Sequence, residues 1–93
     1  MNNILNDVIL YLNENGSTKS IKINGAKLLS SSDGYYSMLV STHYNKDKDF
    51  ASICTINPPI SRVSIEGSNY KFFNIRKFKG SDILYEIIYT DTK

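Results

Sequence analysis

An α+β architecture, with one N-terminal amphipathic helix packed on a five- or six-stranded antiparallel β-sheet, is what three features of this chain predict. Apolar residues follow helical spacing over residues 3–14, strict alternation flanks a turn within residues 70–90, and the five glycines all fall at turn positions. At 93 residues the chain reads as one domain, 1–93, with room for a single modest core.

The expected helix begins at a cap supplied by Asn2 or Asn3, buries Ile4, Leu5, Val8, Ile9 and Leu12, and stops at Asn15-Gly16. Ser17-Thr18 reads as a linker, after which Ile21 and Ile23 alternate with Lys22. Asn24-Gly25 suits a two-residue hairpin turn to a returning strand over 26–29. Ser30 to Gly34 is a second turn cluster, and residues 35–44 form a long strand in which Tyr36, Met38, Val40 and Tyr44 make the better core face. A polar loop over 45–49 leads to a short strand over 51–56, and Asn57-Pro58-Pro59 breaks it. A strand over 62–66 then turns through Gly67-Ser68-Asn69 into the last hairpin. On its first arm neither face is cleanly apolar, which leaves two readings: a bulge near Asn74 that re-aims the side chains, or one face that is a mixed aromatic and basic contact surface.

Totals narrow the function. A hydrophobic content of 41% with 22% charged residues is that of a folding chain, and a net charge of +2 does not by itself require a nucleic-acid partner. Cys54 is the sole cysteine, which excludes an intramolecular disulfide and points to a reducing, cytoplasmic setting. No basic residue precedes Lys19 and no apolar run is long enough to span a membrane, so neither a signal peptide nor a membrane partner is expected. Asn15-Gly16-Ser17 matches a glycosylation sequon, which has no meaning without secretion. Abundant Asn, Ile, Lys and Tyr against only Arg62 and Arg76 indicate a low-GC genome, bacterial or phage.

Catalytic and metal patterns fail on spacing. Asn45, Asp47 and Asp49 alternate like the start of a calcium loop, but Phe50 and Ile56 stand where it needs Gly and a bidentate Glu. His43 and Cys54 lack a local orienting group, and one of each cannot fill a zinc shell. The glycines never cluster as in a phosphate loop, and Ser31 and Ser32 lack a nucleophile-elbow context. No cofactor or metal is implied.

What remains is the last hairpin, around Gly80-Ser81-Asp82. Tyr70, Lys71, Phe72, Arg76, Lys77, Phe78 and Lys79 on one arm, with Tyr85 and Tyr89 on the other, form the expected binding surface. Its basic arm faces an acidic one, so cross-strand pairs should neutralise part of the charge. Tyrosines and an arginine around an apolar centre favour a protein interface. The function expected is therefore non-catalytic binding: an inhibitor, of the anti-CRISPR or other host-defence kind, that occludes a larger protein or ribonucleoprotein. The alternative is a single-stranded RNA- or DNA-binding module in which those rings stack on bases and the cations track phosphates. Open strand edges also permit a homodimer.

Overall fold

A computed structural model describes residues 3–14, 16–55 and 60–92. Seven strands form one antiparallel sheet: β1 (Val8–Glu14), β2 (Ser17–Ile23), β3 (Lys27–Ser32), β4 (Tyr35–Ser41), β5 (Ile60–Ile65), β6 (Ser68–Lys77) and β7 (Leu84–Thr90), with α1 (Lys48–Thr55) between β4 and β5. Their order across the sheet is β2-β1-β5-β6-β7-β4-β3. The outermost strands, β2 and β3, follow one another in the chain and are joined by residues 24–26 alone. The sheet must therefore curl until its two edges meet at that corner. There Leu5 N–H donates to the Ala26 carbonyl and Leu28 N–H to the Asn3 carbonyl, both at 2.8 Å, around an Ile4–Lys27 bridge.

The α+β expectation is thus corrected to a mostly β protein. Residues 3–14 make no helix; they run as the bridging segment and then as β1, a strand paired on both sides. Val8, Leu10 and Leu12 are buried at every second position, an alternation that coexists in the sequence with the helical spacing. Asp7 has φ of 51°, which no continuous helix tolerates, and this kink lets the chain leave the side of β3 and enter the sheet as β1. The cap at Asn2, the stop at Asn15 and its sequon, and the Asn57-Pro58-Pro59 break lie outside the described residues.

Two further elements differ. The segment from Ala51 is helical rather than extended, because Phe50 and Ile53, three residues apart, both reach the core from one helix face. Ala51 N–H bonds the Asp47 carbonyl at 3.1 Å, in the first turn. Burying two such side chains contributes about 2 kcal/mol each. Asn24-Gly25 does not close a hairpin either, since β2 pairs with β1 and β3 with β4. The corner is held by Asn45, only 6% exposed, whose amide accepts from Asn24 N–H at 2.7 Å and donates to the Asn24 carbonyl at 3.0 Å and the Ser41 carbonyl at 2.8 Å. The side chain that resembled a calcium ligand is a structural clamp.

Other expectations hold. Tyr36, Met38 and Val40 face inward, although β4 ends at Ser41 and Tyr44 is 69% exposed. Turns fall near the expected places but are tighter: Asp33-Gly34 and Glu66-Gly67 are two-residue turns with positive φ at both positions (51° and 80°; 50° and 88°), the backbone that matches twisted strands, so Ser30 to Ser32 belong to β3 and Ser68 and Asn69 to β6 rather than to the turns. On β6 the register shifts between Phe72 and Asn74, which is the bulge, the first of the two alternatives read from its mixed faces. The core fills the concave face of the curled sheet with Val8, Leu10, Met38, Val40, Val63, Ile87 and Phe50, all essentially unexposed.

Candidate functional site

The bulge decides how the last hairpin is used. Before it, Phe72 pairs with Tyr89; after it, Asn74 pairs with Ile88 and Ile75 with Ile87. Phe73 is the extra residue, and its ring stands 62% exposed. It meets the 56% exposed ring of Tyr35 edge to face, 6.1 Å between centroids. Tyr35 in turn is the register partner of Thr90, and Thr90 that of Lys71, so the pair sits on the outer, convex face.

The expected binding residues separate by side. Tyr85 and Tyr89, 7% and 2% exposed, belong to the interior, and Tyr70 and Phe72 are half-buried against the same core. Tyr36, Tyr70 and Tyr89 pack as a triad with centroids 5.1–5.6 Å apart. Burial pushes the Tyr89 phenol up to about 12. Tyr36 donates to Asp91 Oδ1 at 2.9 Å, and that hydrogen bond to its neutral form raises its pKa as well.

The cations of the arm stay outside, and two are paired. Arg76 Nε lies 3.1 Å from Glu86 Oε1, and Lys77 Nζ lies 3.9 Å from Asp82 Oδ1. Lys79 places its ammonium 5.4 Å from the centroid of the half-buried Phe78 ring. Only Lys71, on the outer face, joins the Tyr35–Phe73 neighbourhood: it lines a shallow hollow of about 340 Å³ together with Asp33, Gly34, Tyr35, Thr90 and Asp91.

Sequence reasoning missed a second group. Arg62 on β5 lays its guanidinium 3.9 Å from the centroid of the Tyr11 ring on β1 and donates to Asn69 Oδ1 at 2.8 Å. Arg62 and Lys71 are direct cross-strand partners. Nothing in the linear sequence links residues 11, 62 and 71; the signal exists only once the strand order is known. His43 is exposed in the turn after β4, Cys54 lies on α1, and no three His, Cys, Asp or Glu side chains gather as a metal site among the described residues. No helix among the described residues is long and apolar enough to cross a membrane. No protein-family model, curated protein or solved structure matches the chain.

Proposed function

We propose that this chain is a non-catalytic binding protein that covers a surface on a larger protein partner, anchored by Tyr35 and Phe73. The observation that carries the reading is the exposed edge-to-face ring pair at the bulge, more than half accessible on both sides and outside the core. Aromatic side chains so placed leave apolar area in water that a partner removes, and buried aromatic anchors dominate interface energetics. The hollow beside them supplies a charged rim from Asp33, Lys71 and Asp91. Inhibition by occlusion, in the cytoplasm of a low-GC bacterium or of a cell infected by its phage, is the setting that composition favours.

Affinity capture from a host lysate, with and without nuclease, tests this. One protein recovered by the native chain in both conditions, and lost with a Tyr35→Ser/Phe73→Ser variant, is the expected result. Equal recovery by that variant would remove the anchor from the reading.

A further inference from the structure

The half of the outer face built from β2, β1, β5 and β6 has a chemistry of its own. Alternation and register put Lys22, Ile9, Ser64 and Asn69 in one cross-strand row, and Ser20, Tyr11, Arg62 and Lys71 in the next. Among the described side chains no carboxylate stands in either row; Asp7 and Glu66 lie beyond them, next to the Val8–Ile65 register pair where these strands end, and Asp33 and Asp91 share a hollow with Lys71 at the far end of the second row. Arg62 and Lys71 directly oppose each other, an arrangement of like charges that destabilises a sheet until an anion lies between them. Arg62 is also pre-positioned, with one guanidinium plane on Tyr11 and one N–H on Asn69. Arg62 is exposed, and a guanidinium is a stacking platform for an unpaired base.

We infer that this face binds the backbone of a single-stranded nucleic acid, with phosphates at Arg62, Lys71 and Lys22 and a base stacked on Arg62. A single strand fits better than a duplex because the row from Ser20 to Lys71 crosses three strand spacings, about 14 Å, which is the length of two or three nucleotides along one backbone. The inference goes beyond the protein-binding reading and rests on other residues, except that Lys71 borders both surfaces. Together the two surfaces describe a ribonucleoprotein or a protein holding a single strand as the partner.

Fluorescence anisotropy with labelled 15-nucleotide oligo(dT) and oligo(U) tests it on the full chain. Three phosphate contacts predict binding about 20-fold weaker at 200 mM than at 50 mM salt, and an Arg62→Ala/Lys71→Ala variant should bind more weakly with only about a threefold salt effect. Both residues are exposed, so an unchanged thermal melt will show that the variant folds. Arg62→Lys should retain the salt dependence but lose affinity through the missing plane. No binding at 50 mM salt, equal binding by the double variant, or equal competition by polyglutamate would overturn the inference. The Tyr35→Ser/Phe73→Ser variant should keep its oligonucleotide affinity while losing its protein partner, so either surface can fail without the other.

Discussion

Asn45→Ala is the substitution that most directly probes why the sheet curls. Three hydrogen bonds converge on this one side chain, at 2.7, 2.8 and 3.0 Å, and they tie the β2–β3 corner to the end of β4. A net contribution of about 1 kcal/mol for each gives about 3 kcal/mol. Asn24 is exposed, so water can replace part of what its backbone loses, and the expected destabilisation is about 2 kcal/mol. At 4–8 °C for each kcal/mol in a domain of this size, the melting temperature should fall by about 8–16 °C. Urea unfolding followed by circular dichroism measures it, with the slope against denaturant unchanged if only native stability is lost. Asn45→Asp refines the test, because a carboxylate would face two carbonyl oxygens. Its folded pKa would rise above the unfolded value of about 3.9, so the added penalty should be absent below that pH and grow as pH rises through it. A loss under 0.5 kcal/mol for Asn45→Ala would refute the clamp.

Other outcomes follow from the same geometry. Phe50→Ala removes the largest fully buried side chain and should lower stability by about 3–5 kcal/mol in the same urea assay, showing that α1 closes the core. Tyr89 holds its proton to about pH 12 when folded against about 10 unfolded, so stability should decline as pH rises between those values, by no more than about 2 kcal/mol once solvent screening of the phenol is counted. Tyr89→Phe should flatten that alkaline decline relative to the native chain, read from urea midpoints at pH 9 and 11.5. Glu66→Asn places a residue that tolerates positive φ before Gly67 and should raise the melting temperature by a few degrees.

The residues show why some of this was readable from sequence and some was not. Alternation at Tyr36, Met38 and Val40, the glycine at Gly67 and the conflicted faces of β6 are local signals, and local signals identified the core face of β4, the final hairpin and, as one of two alternatives, its bulge. The first fourteen residues satisfy two periods at once: Ile4, Leu5, Val8, Ile9 and Leu12 suit a helix, while Val8, Leu10 and Leu12 suit a strand. Pairing with β2 and β5 decides in favour of the strand, and pairing is not written in a short window. In residues 51–55 the opposite happened, because an apolar run of that length carries no reliable period until Phe50 is known to face inward. The binding surface suffered the same way. Tyr85 and Tyr89 count as aromatic wherever they point, whereas Phe73 becomes an outer-face ring only through a bulge, and Tyr11, Arg62 and Lys71 become neighbours only through strand order.

Calorimetric titration of the captured protein partner against three chains tests whether contact is made by the outer face, as proposed, and not by the hairpin tip. Loss of two aromatic anchors at about 2 kcal/mol each predicts that Tyr35→Ser/Phe73→Ser weakens binding by well over 30-fold, while Lys77→Ala/Lys79→Ala stays within threefold of the native chain. The reverse ranking, with the tip variant crippled and the ring variant intact, would contradict it.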